Sequence, residues 1–394
     1  GGTMRRPITT LATLTTLSVV LAACGSGGGG DGAAEDGSLV GEGTGADCVI
    51  DTPVPVGAAL SLTGAAASYG ESQRNGLELA AEHLEEKGGV TYDLRIEDDQ
   101  TDPRQGISVF EGFVEDGVSV IIGPTLSNGA FQAQPVAQEA GVPVLAISNT
   151  ADGITAQGDY IFRDSLTEAQ VIPQTVAQAK AAFGLEKVVV MYSNDDAFTE
   201  SGYEVFAAAL EEEGVEVLDT LTFSKADTDF RPLLTEAKAL EPDAVVVSAL
   251  IEAAIPLVTQ ARELGIDVPI IGGNGFNNPK LMADAGEAAE GVVVGAAWNS
   301  ASDNPLNADF IAAYEEKYGA SPDQFAAQAY AGLMIIDEAV RSGCSGERDA
   351  VKEGLAGIQD FETVLGTLSI NENRDAEHEA VVQIVEDGTF AVLE

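Results

Sequence analysis

From Val54 onward the sequence repeats one grammar: a short apolar run, a loop of small residues, then a stretch with helical spacing. Residues 54–60 form the first apolar run, and residues 61–65 (Ser-Leu-Thr-Gly-Ala) form its loop. Residues 71–87 then place Leu77, Ala80, Ala81 and Leu84 at i, i+3, i+4 and i+7, the signature of a helix buried on one face. A strand follows at 92–97, and Asp102-Pro103 opens a helix running through Phe110 and Val114. Strands alternating with helices at this spacing specify a doubly wound parallel α/β sheet.

The most informative stretch is 121–150, which contains two strand ends followed by hydroxyl-bearing residues. Residues 119–122 read as a buried strand stopped by Gly123-Pro124, and Thr125, Ser127 and Asn128 precede a helix. Its small or apolar positions are Phe131, Ala133, Val136 and Ala137. A second strand at 142–147 ends in Ser148-Asn149-Thr150. Ligands of open α/β sheets settle outside the carboxyl ends of the strands, where helix N-termini aim free N–H groups at negative charge. The two loops read as halves of one small anion pocket.

The grammar restarts after Tyr160-Ile161-Phe162-Arg163, which predicts a second lobe. Helices are expected at 168–183, 199–213, 232–240 and 253–264, with strands at 187–192, 215–221, 244–248, 268–271 and 291–295. Four loops are placed to line a cleft: 193–198, 250–252, 273–276 and 296–299. The last third is helical (307–318, 324–342 and 348–358) and closes with an expected antiparallel pair, 368–370 with 380–385.

Before this body, Arg5-Arg6, an apolar run over 8–20 and Leu-Ala-Ala-Cys at 21–24 read as a signal peptide spanning residues 1–23. The tetrapeptide resembles a bacterial lipobox, which would make Cys24 a lipidated residue. Residues 25–46 hold 10 glycines in 22 positions, so a flexible tether is expected over 24–46. A net charge of −45 argues against nucleic acid and against anionic lipid as partners, and it favours solubility in salt. Export permits a disulfide between Cys48 and Cys344, the alternative being two free thiols. His83 on a Glu-rich helix and His378 in an acidic turn both read as solvated. No catalytic, metal or cofactor motif is present: the chain has no Gly-x-Ser-x-Gly elbow, no His-Glu-x-x-His and no phosphate loop.

The strings VGAALSLTGAAASYG, IIGPTLSNGAFQAQP, VPVLAISNTADGI, YIFRD, NDDAFTESGYEVF and IIGGNGFNNPKL, in this order, resemble the solute-binding proteins of branched-chain amino acid ABC importers. The resemblance spans about residues 52–394. It implies the type I periplasmic-binding-protein fold, two α/β lobes joined by three crossover segments that close on a ligand. Lobe 1 would take residues 47–163 plus 297–362, and lobe 2 residues 164–296 plus 363–394. It further implies that Ser127 binds a ligand carboxylate, that Ser148 and Thr150 with Asn149 form the neighbouring contact loop, and that Tyr69 closes over the ligand. In lobe 2 it points to Phe198, Asn274 and Phe276. Asn274 stands where the family carries a Glu for the ligand ammonium, and Glu168, Asp196 and Glu252 are the acids near that region. The implied role is capture of an amino acid or related carboxylate or amide for a membrane permease with a cytoplasmic ATPase, by a monomer anchored outside the cell. A ligand sensor on the same fold is the alternative.

Overall fold

The computed structural model describes residues 37–394. The expected signal peptide at 1–23, lipidation at Cys24 and most of the tether lie outside the described residues.

The first sheet is wholly parallel, in the order β2-β1-β3-β4-β5. Its strands are β1 (Val54–Leu60), β2 (Tyr92–Asp98), β3 (Val120–Ile122), β4 (Val144–Ala146) and β5 (Ile161–Arg163). The connecting helices are α1 (Ala67–Lys87), α2 (Pro103–Glu115) and α3 (Ser127–Ala140). The buried, nearly all-apolar character of β1 and β3 is what a parallel strand covered on both faces requires.

The second sheet repeats this plan. β6 (Lys187–Ser193), β7 (Glu216–Phe223), β8 (Ala244–Ser248), β9 (Ile270–Gly272) and β10 (Val292–Ala296) pair in parallel as β7-β6-β8-β9-β10, which is again the first sheet's order. Helices α4 (Glu168–Phe183), α5 (Ala197–Glu212), α6 (Arg231–Ala239), α7 (Ile251–Glu263) and α8 (Lys280–Ala285) connect them. The chain then returns to the first lobe through α9 (Pro305–Tyr318), α10 (Gln324–Gly343) and α11 (Arg348–Ala356).

The C-terminal strands depart from the expected pairing. β12 (Gly366–Ile370) pairs with β11 (Phe361–Thr363) and β13 (Ala376–Glu377) in a small sheet whose Leu368, Ile370 and Ala376 join the first-lobe core. β14 (Val381–Glu386) instead pairs with β10 and with β15 (Thr389–Val392), extending the second sheet by two antiparallel strands. The polar turn at 371–375 closes a hairpin between β12 and β13, and the crossover to the second sheet is the short segment 378–380, so 368–370 and 380–385 do not pair with each other.

The tether ends earlier than expected. Ser38–Glu394 form one compact unit, and the glycines at 41 and 43 serve close contact there. A Cβ on Gly41 would meet the Val49 carbonyl at 2.2 Å, and Gly43, at φ +90°, approaches Asp47 equally closely. Gly41 N–H donates to the Cys344 carbonyl, and Cys48 and Cys344 are joined by a disulfide. This staple fixes the chain's entry to the end of α10.

The α1–α10 pair carries one wall of the cleft. Gly76 lets the helices meet so closely that a Cβ would lie 2.2 Å from the Ala326 carbonyl. At the far end Asp337 accepts from Arg341 Nε, Lys87 Nζ and Tyr92 Oη at 2.7–2.8 Å, so its buried charge is paired. His83 lies half-buried on the same pair and shares a 2.7 Å hydrogen bond with Tyr330 Oη. His378 is not solvated either: its Nε2 is buried without a partner, and burial pushes the imidazole down to about 4. Both departures arise from packing against segments distant in sequence.

Candidate functional site

In a sheet ordered 2-1-3-4-5 the strand order reverses between the first and third strands, and a crevice opens there. Both sheets have this switch point, and one cavity lies where the two meet. First-lobe residues come from the start of α1 (Tyr69), the β3–α3 loop (Thr125, Leu126, Ser127) and the loop after β4 (Ser148, Thr150). Second-lobe residues come from the loops after β6 (Asp196, Phe198), β8 (Leu250) and β9 (Asn274, Gly275), and α10 adds Gln324, Phe325 and Gln328. The cavity is small, about 30 Å³, and it adjoins an outer chamber of about 340 Å³ with Tyr69, Leu126, Asp196 and Leu250 in the shared wall.

Contacts between the lobes surround it. Tyr69 Oη donates to the Gly275 carbonyl (2.7 Å) and accepts from Ile251 N–H (2.8 Å), joining α1 to the β9 loop and the start of α7. Burial raises the phenol far above its usual range, so it remains a protonated donor. Asn128 Nδ2 donates to Asp196 Oδ2 (2.8 Å), and its Oδ1 accepts from Ala197 N–H (2.9 Å). Phe325 packs on Tyr69 with ring centroids 4.6 Å apart.

Helix N-termini decide where an anion fits. The helix α5 is capped by its own Asp196, which accepts from Phe198 and Thr199 N–H. The helix α7 follows Leu250, which gives no cap, but Tyr69 Oη takes its first N–H. The helix α3 follows Leu126, equally without a cap, and begins at Ser127 beside the cavity. Ser127 Oγ accepts a long 3.4 Å bond from Ala151 N–H, which leaves its proton free to donate. The first turn of α3 is thus a partial positive charge with N–H donors and a hydroxyl, a place for a carboxylate.

The loop after β4 is held rigidly against it. Buried Arg163 donates from Nη1 to the carbonyls of Asn149 (2.9 Å) and Ala151 (2.8 Å) and from Nε to Asp375 (2.5 Å). Thr150 lies between these two carbonyls and borders the cavity. Ser148 also lines it, but its hydroxyl is spent: it donates to the Thr125 carbonyl and accepts from Gln73 Nε2, both at 2.7 Å.

Tyr69, Ser127, Ser148, Thr150, Phe198 and Asn274 are thus brought together around one cavity. Asn149 and Phe276 are not. The Asn149 amide turns inward, donating to the Pro124 and Thr125 carbonyls and accepting from Gln134, so it braces the two loops from behind. Phe276 is fully buried in the second-lobe core under Gly272, where a Cβ would touch its ring. Of the four expected cleft loops, the one at 296–299 contributes nothing to the inner cavity: Trp298 packs on Phe310, and Ala297 N–H donates to Gln324 Oε1 (2.6 Å).

Sequence reasoning missed Gln324, Phe325 and Gln328. The available signal was two glutamines four residues apart in a helix otherwise apolar on most sides. Among the described residues there is no cluster of acids, histidines and cysteines able to hold a metal.

The Periplasmic binding protein family profile matches residues 53–389. A Leu/Ile/Val-binding protein homolog of Brucella melitensis is 27% identical over 331 residues, covering 82% of this chain and 88% of that protein. LivJ, a branched-chain amino acid transporter substrate-binding protein of Streptococcus pneumoniae solved with isoleucine, superposes with a TM-score of 0.82. It is 27% identical, over 86% of this chain and 98% of that one. A solute-binding protein of an ABC transporter from Rhodopseudomonas palustris, solved with 3,4-dihydroxybenzoic acid, has a TM-score of 0.78 at 26% identity, over 86% and 96% of the two chains. The chain belongs to the periplasmic binding protein family: it is an extracytoplasmic substrate-binding protein of an ABC importer and not an enzyme.

Proposed function

We propose that this protein captures a small α-amino carboxylate between its lobes and delivers it to a membrane permease driven by a cytoplasmic ATPase. The observation that carries the reading is the uncapped start of α3 at the cavity, flanked by Ser127 and Thr150. A carboxylate there completes the helix cap that Leu126 does not supply, with no cationic side chain needed. The walls formed by Tyr69, Phe198, Leu126, Leu250 and Phe325 then receive an apolar side chain. A relative named as a leucine-, isoleucine-, valine-, threonine- and alanine-binding protein, and the neighbour solved with isoleucine, support the same ligand class.

In this reading the protein acts as a monomer, with lobes 1 and 2 divided at the crossovers near 163, 296 and the 370s. Cys24 carries a lipid that holds it at the membrane, and the glycine-rich segment after it is the tether. Phase partitioning of wild type and Cys24→Ser tests the anchor: wild type is expected in the detergent phase and the variant in the aqueous phase.

Isothermal titration with the aliphatic and aromatic L-amino acids tests the ligand class. One of them is expected to bind at a single site, and at 100 times its Kd to add about 2.7 kcal/mol of stability. Ser127→Ala with Thr150→Ala is expected to weaken that binding about 100-fold, since two hydrogen bonds to a charged group are lost. Unchanged affinity in the double variant refutes the assignment.

A further inference from the structure

The carboxylate reading leaves the other end of the ligand unassigned, and one chain of buried side chains addresses it. Asn274 Nδ2 donates to Glu168 Oε1 (2.8 Å), and Asn274 Oδ1 accepts from Gln324 Nε2 (3.2 Å). The Gln324 amide is oriented in turn, because its Oε1 already accepts from Asn277 Nδ2 and Ala297 N–H. An ionised carboxylate only accepts, so Glu168 forces the NH₂ group of Asn274 toward itself and the carbonyl oxygen the other way. Asn274 and Gln324 both line the cavity, and Glu168 stands directly behind Asn274.

Two atoms in this region have no partner. Glu168 is 1% exposed and its Oε2 has no partner within hydrogen-bond distance, although the Thr150 hydroxyl lies near enough to favour its charge; it packs against Gly273 and Gly202, where a Cβ would come within 3.0 and 3.7 Å. Gln328 is also 1% exposed and lines the cavity, and its Oε1 is unpaired. Buried acceptors left empty in this way are costly unless something supplies the missing donor. The other acids near the cavity are differently placed. The Asp196 carboxylate is engaged by two backbone N–H groups and by Asn128, and Glu252 lines the outer chamber only.

We propose that Asn274 Oδ1 and Gln328 Oε1 receive the ligand's ammonium group, with Glu168 as a positioning residue that turns the Asn274 oxygen toward the cavity and supplies the opposite charge from behind. This rests on the carboxylate site at Ser127. It replaces a direct ion pair by an amide polarised by a buried carboxylate. The arrangement is sensitive to pH, because a protonated Glu168 donates a hydrogen bond and no longer fixes the Asn274 amide. Burial raises the Glu168 carboxyl to about 7, against the lowering effect of Asn274, Thr150 and the charge of Arg163. The α5, β8 and β9 surfaces packed on it present Gly202, Ser248 and Gly273, none of which titrates.

The test pairs each amino acid with the acid lacking its amine: L-leucine with 4-methylpentanoate, and L-phenylalanine with 3-phenylpropanoate. Calorimetric titrations at pH 8 and pH 5.5 compare wild type with Glu168→Gln and Gln328→Leu. Wild type is expected to prefer the amino acid, and to lose about tenfold of that affinity at pH 5.5. Glu168→Gln is expected to bind the amino acid at least tenfold more weakly at pH 8, with no remaining pH dependence, and to bind the des-amino acid within twofold of wild type. Gln328→Leu is expected to lose amino-acid affinity in the same selective way. Glu168→Gln removes a buried charge, so its melting temperature should not fall. Equal loss for both members of a pair, or no loss for either, overturns the proposal, as does a wild type that prefers the des-amino acid. The carboxylate reading is judged separately: it survives all these outcomes if Ser127→Ala still weakens both members of a pair.

Discussion

The helices α3 and α7 occupy equivalent places, each following the third strand of a 2-1-3-4-5 sheet, and each follows a leucine that gives no cap. They differ in what meets the first turn. At α7 the Tyr69 hydroxyl of the opposite lobe takes the Ile251 N–H, whereas at α3 the first residue is Ser127 beside the cavity. The repeated fold therefore offers several helix N-termini to the cleft. Protein groups fill those of α5 and α7 and leave the start of α3 open, which is the basis of our proposal that lobe 1 is the anion end and lobe 2 supplies closure and the polar far wall.

The largest expected effect comes from erasing this difference. Leu126→Asp gives α3 a side-chain cap of the kind Asp196 gives α5, placing a carboxylate where the ligand's belongs. Amino-acid binding should weaken by about 4 kcal/mol, roughly 1000-fold, while the melting temperature is kept or raised by the new cap. Retained affinity in a titration would mean that the ligand's anion lies elsewhere.

A smaller effect is expected from the other helix. Tyr69→Phe leaves the Gly275 carbonyl and Ile251 N–H unpaired only when the lobes close, so it should weaken ligand binding by about 1–3 kcal/mol. Small-angle scattering without ligand should show a more open particle. If the scattering is unchanged, Tyr69 is a wall of the cavity and not a latch.

The smallest effect is on stability. Glu168 ionises at about 7 in the folded chain against an ordinary 4.5, and Asp323 at about 6 against 3.8, each because burial disfavours its charge. A raised acid is neutral in both folded and unfolded chains at low pH, and its burial begins to cost as it must ionise. The Glu168 contribution is therefore fully favourable below about 4.5 and is lost as pH rises through about 7, a change of order 3 kcal/mol. Buried His378, held down to about 4, opposes this trend below about 6.5. The two raised acids outweigh it, so ligand-free protein should melt at a higher temperature at pH 5.5 than at pH 8, and Glu168→Gln should narrow or reverse the difference. Exposed Asp159, held low by Lys352, loses its contribution only below about 4, outside this window.

Much of this was legible in the sequence. Buried parallel strands are continuous apolar runs, so the strand–helix order, and with it the loops bearing Ser127 and Thr150, follows from periodicity and from the rule that ligands lie at strand carboxyl ends. What escaped depends on contacts across the chain. An aromatic residue reads alike in a wall or a core, so Phe276, expected at the cavity, proves to be core, and Phe325, to which the sequence assigned no role, lines the cavity. Gln328 shows its importance only once α10 is placed on the cavity. The glycines at 41 and 43 resemble a flexible tether because composition does not distinguish freedom from close packing. The short strands β11, β13 and β15 have two to four residues each, too few for a periodic signal.

The central claim is that the open N-terminus of α3, with Ser127 and Thr150, holds the ligand's carboxylate. Titration with a bound L-amino acid and then with its carboxamide, such as L-leucine against L-leucinamide, tests it most directly, because only the carboxyl end changes. The account predicts binding of the free acid and a loss of at least 100-fold for the amide. Equal affinity for the two would contradict it.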